Sequence, residues 1–263
     1  MNARRAVRRL AKGAGIAFLA GTLGGAALLA AEIVAARSRT YAKPDLGLTV
    51  RGSTSDTGGA RVRLILLGDA LALGVGVDTA DQTLGGQLTR MLTDAGATVT
   101  LSTVAVAGAR SADLATQVAR AQLGAKPDVA VILIGTNDAT HLVRPGEAAA
   151  HLATAVRRLR DGGTSVVVGT CPDLGAVRAL APPLRQLAGW YGRRVARAQA
   201  SAARSAGAAV VDLGGQVGPV FRADAGMLCR DGFHPSADGY RVIAHALFPE
   251  LAAAAGLPSS ITD

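Results

Sequence analysis

The sequence predicts an α/β protein, a three-layer α/β/α sandwich built on a five-stranded parallel sheet. Three observations predict it. From residue 62 onward, short apolar runs alternate with stretches whose apolar residues recur every three or four positions. The run 129–134 is apolar at every position, as a strand buried on both faces must be. The runs end in Gly, Asn and Asp, and parallel sheets carry their functional groups at the carboxyl ends of their strands.

The first predicted strand is 62–67, ending in Gly68-Asp69. Leu84, Leu88, Met91, Leu92 and Ala95 then follow helical spacing until Gly96 stops them. The second strand, 98–106, is rich in Val and Thr and runs to Gly108. Ser111 reads as the N-cap of a helix with Leu114, Val118 and Ala121 on one face. Strand three is 129–134, followed by Gly135-Thr136-Asn137-Asp138. Ala148, Leu152, Val156 and Leu159 mark the next helix. Strand four is 166–168, followed by Cys171-Pro172-Asp173. A helix over 183–206, a fifth strand over 209–213 and a last helix over 237–254, with a break expected at Pro249, complete the pattern.

The chain has 263 residues, enough for one domain of about 200 residues and a further segment. Apolar residues make up 49% and mean hydropathy is +0.30, which excludes intrinsic disorder. The net charge of +9 is unevenly spread. Residues 1–43 hold Arg4, Arg5, Arg8, Arg9, Lys12, Arg37, Arg39 and Lys43 against Glu32, a net of +7, which leaves +2 for the other 220 residues. A nucleic-acid-binding domain would carry its charge on the folded body, so no nucleic-acid partner is expected.

The basic residues flank an apolar run. Gly13 to Ala31 is nineteen residues, which as a helix would span about 28 Å, the thickness of a bilayer's hydrocarbon core. Five positive residues precede the run and three follow it, so the N-terminus is expected in the cytoplasm and the body outside. The domain expectations are a basic cytoplasmic segment over 1–12, a transmembrane signal anchor over 13–36, a linker over 37–60, the catalytic-type domain over 61–255 and a tail over 256–263. Cleavage after a small residue such as Ala36 is the alternative to an anchor. Either way the body is exported.

Gly13-Ala14-Gly15 and Gly74-Val75-Gly76 lack the strand-turn-helix context of a dinucleotide site, and no P-loop or G-x-S-x-G elbow occurs. The four histidines show no metal-ligand spacing, and His151 and His245 fall in predicted helices. Asp231-Gly232-Phe233-His234-Pro235-Ser236 is more informative. An Asp and a His three apart, in a loop before a helix, can reach one cleft, where the Asp holds the imidazole tautomer and the imidazole serves as base. Cys171 and Cys229 both fall near strand ends; a disulfide bracing the acid–base loop and two unpaired thiols are both open.

Together, Gly68-Asp69, Gly108, Gly135-Thr136-Asn137-Asp138 and Asp231-Gly232-Phe233-His234-Pro235 resemble the ordered blocks of the SGNH, or GDSL-type, hydrolases, across about residues 61–255. Gly169-Thr170-Cys171-Pro172-Asp173-Leu174-Gly175 looks like the membrane-associated actinobacterial branch of that family. The resemblance implies a flavodoxin-like SGNH fold and ester hydrolysis through an acyl-serine, with no metal or organic cofactor. It assigns Asp231 and His234 as acid and base, and Gly108 and Asn137 as oxyanion-hole donors. One departure stands out. The family's first block reads G-D-S, whereas this chain reads Gly68-Asp69-Ala70, so the nucleophile position holds an alanine whose backbone N–H remains as a third oxyanion donor. The next hydroxyl is Thr79, and Ser111 and Ser236 read as helix caps.

Ala70 is either an engineered inactivation or a native substitution, and the retained apolar segment and absence of a tag favour the native reading. The chain is then a GDSL-type esterase, lipase or acetylesterase lacking its nucleophile, or a pseudoenzyme that holds an acylated envelope component without cleaving it. The expected partners are a small-molecule, lipid or acylated-sugar ester and, through 13–36, the membrane. Segments 140–146 and 173–183 are expected to shape the pocket.

Overall fold

The computed structural model describes residues 59–257. The proposed anchor, most of the linker and the tail beyond 257 lie outside the described residues. Among the described residues no helix is long and apolar enough to cross a membrane.

Five strands form one parallel sheet: β1 (Arg61–Gly68), β2 (Thr98–Thr103), β3 (Val129–Leu133), β4 (Ser165–Gly169) and β5 (Ala209–Val211), in the order β2-β1-β3-β4-β5. The chain moves outward from β1 to β2 and then crosses to β3 on the other side of β1. This reversal opens a crevice at the strands' carboxyl ends. Gly68 at the end of β1 registers with Leu133 at the end of β3, so both tips project into that crevice.

The strands bury alternate residues on opposite faces, as period-two geometry demands. Leu64 and Leu66 of β1, with Val129 and Val131 of β3, pack on α2 (Leu84–Asp94) and α9 (Ala237–Ala254). Ile65 and Leu67, with Ala130 and Ile132, pack on α3 (Leu114–Ala121) and α5 (Pro145–Asp161). The long helix α6 (Leu184–Ser205) joins the second face through Ala203, and its Val195 and Ala196 form a third cluster with Cys171, Leu174 and Val177 beyond β4. Short helices α1 (Ala70–Leu73), α4 (Thr136–Thr140), α7 (Leu213–Gln216) and α8 (Gly218–Ala223) follow strand ends and build the crevice walls.

Four local expectations are corrected. The β2 ladder stops at Thr103, not 106, although the Val104 and Val106 N–H groups still donate to the Leu66 and Gly68 carbonyls of β1. The fifth strand ends at Val211 because Asp212 accepts from Gly215 N–H and so caps α7. The helix α9 runs through Pro249 without a break. Pro249 removes one donor, but Leu247, Phe248, Leu251 and Ala252 are all buried on the sheet, and that packing holds the turn. Ser111 does not cap: its hydroxyl donates to Asp138 Oδ2 at 2.9 Å, whereas Ser236 does cap α9 through Gly239 N–H.

Candidate active site

The end of β1 is shaped by backbone crowding. Gly68 has φ +132°, and a Cβ there would lie 1.8 Å from the Leu133 carbonyl oxygen, so a side chain is excluded. Its peptide is clamped from the side by Gln117 of α3. The Gly68 N–H donates to Gln117 Oε1 at 2.7 Å, and Gln117 Nε2 donates back to the Gly68 carbonyl at 2.9 Å. Asp69 follows, 2% exposed, and its Oδ1 accepts from Leu71 N–H at 3.0 Å, which caps α1 and sets Ala70 as its first residue. Burial, opposed by the Leu71 N–H and reinforced by the charge of Asp138, pushes the Asp69 carboxyl up to about 7.

The loop after β2 presents Gly108 at φ +82°, with nothing within 4 Å of a would-be Cβ. Glycine is favoured there by conformation rather than by space. Asn137 comes from the first turn of α4, where Nδ2 donates to Ala109 O at 3.0 Å and lies 3.5 Å from Asp69 Oδ2. This ties the tips of β1, β2 and β3 together. Asp138 braces the same corner from beneath, accepting from the Ser111 backbone at 3.0 Å and from its hydroxyl. Burial raises the Asp138 carboxyl against the Ser111 hydrogen bonds.

The third part of the site is the loop before α9. Leu228 and Pro235 pair as an antiparallel bridge, and the Cys229 N–H donates to His234 O at 2.8 Å. Gly232 turns at φ +66°, and its carbonyl accepts the N–H groups of Arg178 and Ala179, which docks the loop on the 173–183 segment. Asp231 Oδ1 accepts from Phe233 and His234 backbone N–H groups at 2.7 and 2.9 Å, while Oδ2 lies 2.7 Å from His234 Nδ1. Partial burial raises the Asp231 carboxyl, but these hydrogen bonds outweigh it and hold the group below its ordinary value. An ionised carboxylate on Nδ1 fixes the imidazole's orientation. Tyr240 of α9, fully buried, donates to Val75 O at 2.7 Å and joins this loop region to the chain after α1.

Ala70, Gly108, Asn137 and His234 line one cavity of about 580 Å³. Asp231 is held behind His234. Thr140 and His141 from the 140–146 segment, and Asp173, Leu174, Ala176, Val177 and Leu180 from the 173–183 segment, line it too. Val75, Leu213, Val217, Phe221 and Ile243 add apolar surface, so the lining is mostly apolar with a few polar groups. His151 and His245 are exposed on helices away from it.

The cysteines are free thiols: Cys171 is buried with its backbone N–H donating to Gln199 Oε1 at 2.9 Å, and Cys229 is partly buried. Burial raises both thiols above their ordinary value, so neither is poised as a nucleophile. Among the described residues no group of three His, Cys, Asp or Glu side chains is placed to hold a metal ion.

Sequence reasoning missed two of the buried glutamines, Gln117 and Gln199. Gln117 sits on the α3 stripe with Leu114, Val118 and Ala121; Gln199 sits on the α6 stripe with Val195, Ala196 and Ala203, and its Nε2 donates to Ile134 O at 2.9 Å. A polar residue on an apolar helical stripe was the available signal. Each satisfies backbone groups at strand tips where the ladder ends.

The chain is 45% identical over 190 residues to a GDSL-like esterase of Mycobacterium tuberculosis, a match that takes in 71% of this chain and 60% of that protein. The chain thus spans less than two thirds of that relative's length. Among solved structures, the lipase/acylhydrolase from Enterococcus faecalis superposes with a TM-score of 0.60 at 19% identity, over 76% of this chain and 98% of that one. A catalytic mutant of an acetylxylan esterase from Geobacillus stearothermophilus gives 0.55 at 20% identity, over 78% and 99%. At these identities the superpositions speak for the fold. Residues 66–242, from the tip of β1 into α9, match the model of the GDSL-like lipase/acylhydrolase family, and with the 45% relative they establish that the chain belongs to that family.

Proposed function

We propose that the cavity is an ester site that keeps its acid–base pair and oxyanion donors but lacks its nucleophile. The observation that carries the reading is the convergence of Ala70, Gly108, Asn137 and His234 on one cavity, with Asp231 2.7 Å from His234 Nδ1. In the complete form of this chemistry a serine hydroxyl at position 70 attacks the ester carbonyl and His234 takes its proton. The Gly108 N–H, the Asn137 amide and the residue-70 N–H face the developing oxyanion. The acyl-serine is then hydrolysed by water. Ala70 offers a methyl group, with no proton to give and no oxygen to form the acyl bond. As written, the chain is inactive or strongly impaired on esters.

A second reading is favoured by the retained cavity: a membrane-anchored protein that holds an acylated envelope component without cleaving it. The largely apolar lining of the cavity supports an acyl-bearing ligand in both readings, whether small ester, lipid or acylated sugar. The basic flank and apolar run support an anchor over 13–36 with the domain outside, as does the Gly169–Gly175 block of the membrane-associated branch.

The test is Ala70→Ser. It should raise hydrolysis of a short p-nitrophenyl ester at least about 10²-fold, set below the roughly 10⁴–10⁶-fold cost of deleting a nucleophile because a pocket lacking one is free to drift. Adding His234→Ala should remove the gain. A folded Ala70→Ser protein inert on acetyl, butyryl and long-chain esters would overturn the ester-site reading.

A further inference from the structure

A second hollow, of about 430 Å³, adjoins the cavity and shares Ala176 with it. Its walls bring together four arginines from three parts of the chain: Arg178 from the 173–183 segment, Arg185 and Arg193 from α6, and Arg222 from α8. Arg185 and Arg193 lie eight positions apart, two turns on the same helix face. Gln186 adds a neutral amide to the wall.

The charge of this hollow is poorly balanced. Asp173 is the carboxylate that pairs with it, accepting from Arg222 and lying 3.9 Å from Arg193 Nη1. Its side chain is only 3% exposed, so it anchors two guanidiniums from below and offers almost no surface to solvent. Among the described residues, Arg178 and Arg185 enter no ion pair; Arg178 Nη2 reaches the Arg222 carbonyl at 3.5 Å. Four guanidiniums against one buried carboxylate leave a local excess of three positive charges. The body as a whole is nearly neutral, so this concentration is not a sample of its average surface.

Beside the hollow the helix and the loop pack closely: a Cβ on Gly189 of α6 would lie 2.9 Å from the Gly175 backbone, so the helix approaches the loop only because residue 189 is glycine. Four guanidiniums around one hollow suit a compact polyanion. Guanidiniums donate in a planar fork that matches phosphate oxygens two at a time. A carboxylate has two oxygens and one charge, and Asp173 already fills that role. A phosphate has more oxygens and up to two charges, which fits the remaining donors and the excess charge.

We propose that this hollow is a phosphate subsite, and that the acylated compound held in the adjoining cavity carries a phosphate group. The substrate-class part rests on the ester-site reading above; the phosphate site itself does not. The segment 173–178 belongs to both chambers, because Asp173 and Ala176 face the cavity while Ala176 and Arg178 face the hollow. An acyl chain in the cavity and a phosphate in the hollow would therefore bracket one short stretch of backbone.

The protein with Ala70 allows binding to be measured without turnover. In calorimetry at low salt, 1-decanoylglycerol 3-phosphate should bind at least about 10-fold tighter than 1-decanoylglycerol, and the gap should narrow as salt is raised. In the double variant Arg178→Gln/Arg185→Gln the gap should close, with the neutral ester bound as before, because neither residue touches Asp173. Dioctanoyl phosphatidylglycerol and a decanoyl ester of glucose 1-phosphate separate the two sources of phosphate: the one whose affinity falls more in the double variant identifies a lipid headgroup or a soluble phosphorylated sugar. Equal binding of charged and neutral esters, or an advantage that survives in the double variant, would overturn the proposal. Phosphate selectivity alongside an inert Ala70→Ser protein would support this subsite and sink ester hydrolysis. Hydrolysis of neutral esters by Ala70→Ser with no phosphate selectivity would do the reverse.

Discussion

Replacing Asp69 with asparagine tests whether the carboxyl at the tip of β1 is held neutral by its surroundings. Asp69 is 2% exposed and feels the charge of Asp138, and its carboxyl is pushed from 3.8 up to about 7. The folded protein therefore keeps this proton across a range in which the unfolded chain has already lost it. The contribution to stability is complete below pH 3.8, declines as pH rises and is gone once pH passes about 7. At about 1.4 kcal/mol per pH unit, the gap amounts to roughly 4 kcal/mol. The Asp69→Asn side chain would keep an acceptor oxygen for Leu71 N–H and would not titrate. Urea unfolding of both proteins at pH 4.5, 6 and 7.5 isolates the difference, because every other titrating group is common to the two. The asparagine variant should gain on the parent by a few kcal/mol between the lowest and highest pH. Parallel pH profiles would refute the reasoning and mean that Asp69 is solvated or compensated as an anion. A variant that loses ground as pH rises would mean that the ionised carboxylate stabilises the turn.

Two further outcomes are expected. Gln117→Leu removes both hydrogen bonds to Gly68; the carbonyl keeps the Val106 N–H, but the buried Gly68 N–H is left unpaired, which should cost roughly 1–3 kcal/mol in chemical unfolding, and a variant as stable as the parent would show that the clamp is dispensable. If 13–36 is an outward-facing anchor, the protein should fractionate with membranes and residues 61–255 should be cleaved by protease added outside intact cells, whereas free cytoplasmic protein would remove that proposal.

The fold class was legible because its signals are local and repeated. Each strand of a covered parallel sheet must be apolar on two faces, so 62–67, 129–134 and 166–168 announced themselves, and the strand tips carried the polar residues. The contact between Asp231 and His234 was legible for the same reason: they are three residues apart, and one loop fixes their geometry through its own backbone N–H groups. The absence of a hydroxyl at Ala70 is likewise written in the chain and needs no coordinates.

Long-range partners decided the rest. Ser111 has the local profile of a cap, but Asp138, 27 residues on, competes for its hydroxyl and wins inside a buried corner. Pro249 should break a solvated helix, but the burial of its neighbours outweighs one missing hydrogen bond. Gln117 and Gln199 are ordinary helix residues until β1, β3 and β4 end beside them with backbone groups to satisfy. The four arginines at 178, 185, 193 and 222 are scattered along the chain and become one charged hollow only when α6 and α8 pack around the 173–178 segment. Sequence periodicity reports which residues must leave water. Which distant polar group each buried donor meets is set by the packing of elements, and only the tertiary structure contains that.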